Sequence, residues 1–367
     1  MKVLQINKLY FPWLGGVETV VKQIAEGIAM KDVDSQVIAV NGKKEKKASV
    51  SKLNNVTVVK SKLNFFFGAQ PVSFSLIKIL KKSEADIIHL HLPNPFGVFC
   101  YLLSKPKGKL LITYHSDIVK QRVLKFFYKP LLNIILKKAD KIVATSQNLV
   151  NSSLILTKYK EKIVIIPLGI NPEDYTIDEE ILSEMKIKYG ERFLLAIGRL
   201  VEYKGFEYLL KALPKVPDEK LYIIGDGKLK DHLNEIIKDK GLNERVTILK
   251  PLPFENLKAM MKLSKMFIFP SISNNEAFGI VQLEAMYFGN PVVSSDLPTG
   301  VTFVNQHEKT GLVTRKCDSD SIGKAINKLL NEPELYNLIS DNNRKYVCNN
   351  FSEEKMINSY LKVYEEL

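Results

Sequence analysis

The chain has 367 residues, of which 46% are hydrophobic and 25% are charged, and its formal net charge is +13 at pH 7. This composition is ordinary for a soluble globular protein, and the length predicts two domains rather than one. Apolar stretches such as 126–136 are broken by polar residues and fall short of the about 18 residues that a spanning helix needs, so we expect no membrane-spanning segment.

Short β-branched segments bounded by turn residues alternate with helical spacing along the first half of the chain. This alternation predicts a doubly wound α/β domain. A charged stretch, 43–52, is predicted to be a solvated loop. The predicted strands are 2–6, 35–40, 56–60, 87–90, 110–114, 141–144 and 163–167, and the first strand is followed by a helical face of Val17, Val20, Val21, Ile24 and Ile28.

The same alternation restarts after a polar stretch, with strands predicted at 193–197, 221–224, 246–249, 266–269 and 291–294. The simplest interpretation is two Rossmann-like halves joined near residues 170–185. Ser352 is a plausible N-cap before two glutamates, so the chain is expected to end in a helix.

The most informative segment is 276–284, with the sequence Glu-Ala-Phe-Gly-Ile-Val-Gln-Leu-Glu. Ile280, Leu283 and Tyr287 have the spacing of one helical face, which places Glu276 in the loop before a helix and Glu284 inside it. The free N–H groups at a helix start favour an anion. We therefore expect a phosphate between the two carboxylates, which would grip the hydroxyl-rich ends of the same ligand.

This segment resembles the signature of the retaining glycosyltransferases of family 4, which have the two-domain α/β architecture called GT-B. The family has Phe-Gly after the first Glu and Leu-Glu-Ala-Met at the second, and both are present here. The resemblance implies an acceptor-binding Rossmann-like domain at 1–172, a nucleotide-sugar-binding one at 173–351, a cleft between them, and a C-terminal helix at 352–367 that crosses back. The structural alternative is an amphipathic helix with a solvated Glu at each end.

A glycine-rich turn follows the predicted first strand of the first half, and a basic turn follows the predicted first strand of the second half. Gly15 and Gly16 follow the first strand of the chain, where ligands of open α/β sheets bind and where a helix start offers N–H donors. Arg199 and Lys204 follow the first strand of the second half and can clamp a diphosphate. The resemblance implies that this Arg and Lys hold the leaving diphosphate. A plain tight turn and solvated cations are the alternatives.

Histidines occur at the ends of two predicted strands. His115 ends the strand 110–114, and the resemblance places it beside the transferred sugar, to which it hydrogen-bonds. The alternative is a structural histidine at the end of the strand. We do not assign His115 as a general base. His89 and His91, two apart on a strand, are predicted to point to opposite faces and to be structural.

The resemblance implies transfer of a sugar from a nucleoside diphosphate to a hydroxyl, with retention at the anomeric carbon. Glu284 would hold the ribose, Glu276 the transferred sugar, and Arg199, Lys204 and the glycine amides the diphosphate, whose charge they stabilise. His115, Glu276, Arg199 and Lys204 form the predicted catalytic set. The resemblance also implies donor contacts from Gly227 under the nucleotide, from Leu252 against the base, and from Phe278, Gly279, Ile280 and Val281 at the helix start. Plain turns are the alternative at Gly227 and Leu252.

No metal and no cofactor are expected, because a cationic clamp does the work of a divalent ion. The two Asp-x-Asp sequences, at 32–34 and 318–320, do not end apolar strands and are interpreted as a loop and a helix cap. Residues 296–301 and 304–305 are similar to those of bacterial polysaccharide enzymes, some of which use GDP-mannose. The alternatives are a GT-B sugar-nucleotide epimerase and a catalytically silent nucleotide-sugar-binding partner subunit.

The positive charge is concentrated in the first domain. Residues 1–172 contain 27 Lys and Arg against 10 Asp and Glu, whereas residues 173–367 contain 26 against 30. Basic amphipathic segments at 60–82 and 120–141 predict peripheral binding to an anionic membrane, where a lipid-linked glycan acceptor would lie. Nucleic acid is not expected, since no binding motif accompanies the charge. The hydrophobic residues of these segments are Leu63, Phe65, Phe66, Phe67, Phe74, Leu76, Ile77, Val123, Leu124, Phe126, Phe127 and Leu131.

The expected location is the cytoplasm, at the inner face of the cytoplasmic membrane. Cys100, Cys317 and Cys348 have neither disulfide nor metal-site spacing, and no signal-peptide pattern follows Met1.

Overall fold

The computed structural model describes residues 1–13, 15–42, 47–68, 70–117 and 122–367, without the side chains of 122–127. The chain divides into two compact units. Unit 1 contains Met1–Leu168 and Glu353–Leu367, and unit 2 contains Gly169–Ser352. The division after Leu168 lies slightly before the predicted boundary at 172.

Unit 1 is built on a mostly parallel sheet. In chain order its elements are β1 (Lys2–Ile6), α1 (Gly16–Ala29), β2 (Asp34–Val40), β3 (Ser49–Leu53), β4 (Val56–Ser61), β5 (Phe65–Phe67), β6 (Gln70–Val72), α2 (Ser75–Lys81), β7 (Glu84–Leu92), α3 (Pro95–Ser104), β8 (Lys107–Tyr114), α4 (Arg122–Lys138), β9 (Lys141–Ala144), α5 (Gln147–Ser152) and β10 (Ile163–Ile165). In the described part of the chain the strand order is β10-β9-β8-β7-β1-β2-β4-β3.

Each strand predicted for the first half is present, because each is apolar enough to be covered on both faces of a parallel sheet. The order reverses at β1, which pairs with β2 on one side and with β7 on the other. Ligands of such sheets bind beyond the carboxyl ends of the strands at this reversal.

The predicted solvated loop at 43–52 is wrong for its second part. Residues 49–52 belong to β3, which pairs antiparallel with β4 at the edge of the sheet. Ser49, Val50, Ser51 and Lys52 are exposed, so β3 has no hydrophobic alternation that a sequence pattern could detect. Residues 43–46 of the predicted loop lie outside the described part of the chain.

Unit 2 contains a second parallel sheet. Its elements are α6 (Glu179–Tyr189), β11 (Phe193–Ile197), α7 (Phe206–Ala212), β12 (Leu221–Ile224), α8 (Lys230–Asp239), β13 (Val246–Leu249), α9 (Phe254–Leu263), β14 (Ser264–Phe269), α10 (Ile280–Tyr287), β15 (Val292–Ser295), α11 (Gly300–Val304), β16 (Gly311–Thr314), α12 (Ser319–Asn331) and α13 (Pro333–Asn350). The strand order is β13-β12-β11-β14-β15-β16. This order reverses between β11 and β14, so the carboxyl ends of these two strands are the expected ligand edge.

The last helix, α14 (Glu353–Glu365), belongs to unit 1 and packs on α1. Gly27 of α1 makes the close approach possible, since a Cβ there would lie 2.6 Å from the Ile357 side chain. The hydroxyls of Tyr360 and Tyr364 reach the sheet of unit 1. Within the described ranges, no helix combines the length and the apolar composition needed to cross a bilayer.

Candidate active site

The loops that follow β11 and β14 are held together at the reversal of strand order in unit 2. The N–H of Ile272, after β14, donates to the carbonyl of Tyr203, after β11, over 2.8 Å. Tyr203 lies in a single 3₁₀ turn, Glu202–Lys204. The two loops that carry the predicted Arg199, Lys204 and Glu276 therefore form one surface at the expected ligand edge.

Lys204 and Glu276 form an ion pair on this surface. The Lys204 Nζ lies 2.6 Å from Oε2 of Glu276, and each side chain is only 11% exposed. The Ser271 hydroxyl donates to the same carboxylate oxygen over 2.9 Å. The Nζ also lies 4.9 Å from the centroid of the Phe269 ring, a cation–π distance. Two residues predicted to hold different groups of one ligand are thus in direct contact.

Arg199 lies on the same surface and is exposed. Its guanidinium donates to the Tyr203 hydroxyl over 3.0 Å. The ring of Tyr203 lies 5.9 Å from the Arg199 Cζ and 5.7 Å from the Lys204 Nζ. Tyr203 therefore brings the two cations together, as a two-cation clamp for an anion requires.

The start of α10 lies directly after Glu276. Gly279 is its N-cap, with φ +77°, a conformation that favours glycine, and a Cβ there would lie 2.6 Å from the Phe269 ring. The amides of Ile280 and Val281, in the first turn, have no acceptor within the helix and are suited to an anion. The Phe278 side chain packs on Phe351 and is buried, so any contact from Phe278 to a ligand must come from its backbone.

Glu284 lies in α10, one turn beyond the helix start. Burial raises the pKa of Glu284 to about 7, and a hydrogen bond from Tyr175 acts in the opposite direction. Tyr175 is itself held by aromatic contacts, with ring centroids 5.5 Å from Tyr287 and 5.6 Å from Phe254. The carboxyl group therefore changes its charge near neutral pH, and Tyr175 favours the carboxylate form that accepts hydroxyl hydrogens.

Gly227 and Leu252 follow the next two strands, β12 and β13. The N–H of Leu200 donates to the carbonyl of Asp226 over 2.9 Å, which ties the turn at Gly227 to the Arg199 loop. A Cβ at Gly227 would lie 2.5 Å from the carbonyl oxygen of Leu200, so only glycine fits this approach. Leu252 is half-buried in the loop after β13.

In unit 1, Gly15 and Gly16 lie at the start of α1, where Gly15 is the N-cap and both residues are exposed. The amides of the first turn of α1 are therefore accessible to an anion at the strand-order reversal of this unit. Leu14 of the same turn lies outside the described residues.

His115 follows β8 and is buried in a row of histidines. Its Nε2 lies 3.1 Å from Nδ1 of His91, whose Nε2 lies 2.9 Å from Oε1 of Gln5. His89 lies next to His91, with ring centroids 4.2 Å apart, and bonds to Tyr364 and Thr113. The prediction that His89 and His91 face opposite sides is wrong, because residues two apart on a strand share a face.

Burial keeps the three histidines neutral. It is the largest cause of a pKa near 3 for His89 and for His115, with smaller contributions from the neighbouring His115 and from Lys8 respectively, and it lowers the pKa of His91 well below its ordinary value. Each ring therefore has one N–H donor and one acceptor nitrogen at neutral pH.

Several residues of the candidate site were not predicted from the sequence. Tyr203 directly precedes the predicted Lys204, and Ser271 lies two residues after β14, so a search for polar side chains in the loops after these strands would have found both. Tyr175 lies in the segment between the two predicted halves, and no local pattern connects it to Glu284. Gln5 and His91 lie inside strands, and only the register of β1, β7 and β8 brings them to His115.

Neither a metal centre nor the cavity of unit 2 is part of the candidate site among the described residues. Among the described residues, no group of His, Cys, Asp or Glu has the arrangement of a metal site. Asp318 caps α12 by accepting from the N–H of Ser321, which confirms the helix-cap interpretation. A cavity of about 410 Å³ in unit 2, lined by Tyr175, Tyr287 and Arg344 among others, contains none of the predicted site residues.

Comparison with known proteins identifies the family. Residues 178–346 match the family model described as Glycosyl transferases group 1, and residues 14–174 match that described as Glycosyltransferase Family 4. The O-antigen chain mannosyltransferase C of Escherichia coli is 33% identical over 372 residues, which cover 100% of this chain and 99% of that protein. The D-rhamnosyltransferase WbpZ of Pseudomonas aeruginosa is 32% identical over 338 residues, covering 91% of this chain and 88% of that protein.

A solved structure has the same fold. The crystal structure of Anabaena Alr3699/HepE in complex with UDP has a TM-score of 0.78 and 18% sequence identity, and the match covers 100% of both chains. The predicted GT-B class, with a Rossmann-like fold in each unit, is confirmed. The chain belongs to glycosyltransferase family 4 and is a glycosyltransferase.

Proposed function

We propose that the protein transfers a sugar from a nucleoside diphosphate sugar to a hydroxyl of a bacterial surface polysaccharide, with retention at the anomeric carbon. The observation that carries the proposal is the Lys204–Glu276 pair beside the start of α10. A cation next to free helix amides suits a diphosphate, and a carboxylate next to it suits the hydroxyls of the attached sugar. The site thus matches the two ends of one donor molecule.

Each residue has a role in this proposal. Lys204 and Arg199 neutralise the charge that develops on the leaving diphosphate, an electrostatic contribution of the kind that often dominates catalysis. Glu276 accepts hydrogen bonds from the transferred sugar, and Glu284 accepts them from the ribose. In unit 1 the amides of Gly15 and Gly16 are assigned to the diphosphate and His115 to the transferred sugar. Because the charge is neutralised by side chains and amides, the proposal includes no divalent ion.

The two curated relatives support a particular donor class. One is named a mannosyltransferase and the other a D-rhamnosyltransferase. D-Rhamnose is D-mannose without the hydroxyl on its sixth carbon, so both sugars share the configuration of their ring hydroxyls. We therefore propose a donor of the manno configuration, with GDP-mannose as the first candidate. The proposed acceptor is a glycan or lipid-linked glycan of the O-antigen type.

A donor panel tests this proposal. The purified protein is incubated with GDP-mannose, GDP-D-rhamnose and UDP-glucose, each with and without a mannose-terminated lipid-linked oligosaccharide. Release of nucleoside diphosphate that requires the acceptor and is fastest with a manno-configured donor is the expected result. Equal rates with UDP-glucose would overturn the donor assignment, and no release with any donor would overturn the proposed activity.

Peripheral membrane binding is the second part of the proposal, and we assign the contact to a surface of exposed aromatic rings and lysines on unit 1. Phe65 and Phe67 of β5 are 49% and 64% exposed, and Phe74 before α2 is 58% exposed, with its ring centroid 6.3 Å from that of Phe65. Exposed lysines at 78, 81 and 82 follow Phe74 at the spacing of one helical face. Aromatic rings beside lysines suit the interface of an anionic bilayer.

Other hydrophobic residues of the predicted membrane segments do not belong to this surface. Leu63 and Leu76 are buried, and Phe66, Ile77 and Leu131 pack against the core of unit 1. For these residues the membrane prediction is wrong, because helical and strand packing covers them. Val123, Leu124, Phe126 and Phe127 lie outside the side chains that the structure describes. The proposed location is the cytoplasmic face of the membrane, with the Phe65–Phe74 surface in contact.

A further inference from the structure

A row of hydrogen bonds crosses the sheet of unit 1 and ends at His115. Gln5 of β1, His91 of β7 and His115 after β8 are each at most 5% exposed. Oε1 of Gln5 lies 2.9 Å from Nε2 of His91, and Nδ1 of His91 lies 3.1 Å from Nε2 of His115. The planes of the His91 and His115 rings are nearly parallel, at 21°, and the ring centroids lie 5.4 Å apart, so the two rings meet edge to edge as this hydrogen bond requires.

The orientation of the Gln5 amide, with Oε1 toward His91, sets the direction of both hydrogen bonds. An amide oxygen only accepts, so Nε2 of His91 carries the hydrogen that points at Gln5. A neutral imidazole has one hydrogen, which leaves Nδ1 of His91 as an acceptor. Nε2 of His115 must then donate to it. Nδ1 of His115 is consequently without a hydrogen.

We propose that Gln5 and His91 are positioning residues that hold His115 in the tautomer whose Nδ1 is a hydrogen-bond acceptor. His115 then accepts a hydrogen bond from a hydroxyl of the transferred sugar and does not donate one to a sugar oxygen. This second step rests on the proposed function, which assigns His115 to the sugar. Burial lowers the pKa of both His115 and His91, which agrees with neutral rings. The opposite orientation of the Gln5 amide would reverse every hydrogen bond in the row. A measurement of the His115 tautomer therefore distinguishes the two directions.

The first experiment measures the tautomer directly. Long-range proton–nitrogen spectra of the ¹⁵N-histidine-labelled full chain distinguish a hydrogen on Nδ1 from one on Nε2. Single-residue variants assign the signals of the five histidines. A hydrogen on Nε2 of both His91 and His115 is the expected result. A hydrogen on Nδ1 of His115, or a charged ring at neutral pH, would overturn the proposal.

A matched pair of variants then separates positioning from packing. In His91→Asn the side-chain oxygen takes the place of the acceptor Nδ1, whereas His91→Leu has no acceptor. We expect His91→Asn to keep the His115 tautomer and most of kcat. We expect His91→Leu to give mixed tautomers and a kcat about tenfold lower, the worth of about one hydrogen bond. Affinity for the nucleoside diphosphate should stay unchanged in both.

His89→Leu is the packing control. It removes a neighbouring buried histidine whose hydrogen bonds run to Tyr364 and Thr113. It should lower thermal stability but leave the His115 tautomer and kcat unchanged. Equal losses of kcat in His89→Leu and His91→Leu would overturn the positioning role. If no donor is turned over, the proposed function fails, whereas the tautomer measurement still decides the hydrogen-bond direction.

Discussion

Removing the Glu276 carboxylate separates two effects that the structure joins in one contact. Glu276 is the partner of Lys204 at 2.6 Å and the proposed contact of the transferred sugar. In Glu276→Ala, Lys204 loses the carboxylate that competes with phosphate for its ammonium group. We therefore expect nucleoside diphosphate to bind at least as tightly as in the unaltered protein, while turnover falls at least tenfold.

The geometry gives the size of the stability effect. At 2.6 Å and an effective dielectric constant of about 20, the gross attraction between the two charges is about 6 kcal/mol. Desolvation of both groups offsets much of it. Removing one partner of a buried pair costs about 3–5 kcal/mol, because the other charge stays buried without its counter-ion. Tenfold in turnover corresponds to about 1.4 kcal/mol, close to one hydrogen bond to a sugar hydroxyl.

Calorimetry with the nucleoside diphosphate, run beside turnover with the complete donor, measures both effects. Lys204→Met is the matched control, since it should lose diphosphate affinity and turnover together. Circular dichroism at the assay temperature confirms that each variant is folded. A large loss of nucleoside diphosphate affinity in Glu276→Ala, similar to that of Lys204→Met, would refute the assignment of Glu276 to the sugar.

Three further predictions concern the nucleoside, the metal and the membrane. Glu284→Ala should weaken nucleoside diphosphate binding. Because the pKa of Glu284 is raised to about 7, the accepting carboxylate is lost as pH falls below 7, so the affinity for nucleoside diphosphate should be lower at pH 6 than at pH 8. Calorimetry on Glu284→Gln should show no such pH dependence. If the pH dependence persists in Glu284→Gln, another group causes it. Turnover should survive excess EDTA, and complete loss that magnesium or manganese restores would contradict the metal-free clamp. The protein should co-sediment with anionic but not neutral liposomes, and less so in 1 M salt, where the Debye screening length shortens to about 3 Å. The double variant Phe65→Ser with Phe67→Ser should bind anionic liposomes less, whereas Leu338→Ser, at an exposed position of unit 2, should bind as the unaltered protein does. Equal binding to anionic and neutral liposomes would argue against the proposed membrane surface.

Sequence patterns located the strands because buried parallel strands are continuous apolar runs. Arg199 and Lys204 were predicted because their loop follows such a strand, where ligand edges lie, and Glu276 because it precedes a predicted helix in a segment that resembles the family signature. The edge strand β3 was not predicted, because its exposed Ser and Lys residues show no hydrophobic alternation. The sequence pattern also did not predict which hydrophobic residues are buried and which are exposed. Within the same segment, Leu76 is buried whereas Phe74 is exposed.

Contacts between distant segments required the fold itself. The Lys204–Glu276 pair depends on the pairing of β11 with β14, and the bond of Tyr175 to Glu284 depends on how the segment before α6 packs beside α10. The histidine row depends on the register of three strands. Neither distance along the chain nor composition predicts these contacts, because tertiary packing decides them.

The structure of the reaction product tests the central claim most directly. The protein, GDP-mannose and a mannose-terminated lipid-linked acceptor are incubated together, and the product is examined by nuclear magnetic resonance. We predict one nucleoside diphosphate released for each new glycosidic bond, with the anomeric configuration of the donor retained in the product. An inverted linkage would contradict retention. An isomerised sugar nucleotide without a new bond would instead identify an epimerase, and donor binding with no reaction would identify a silent subunit.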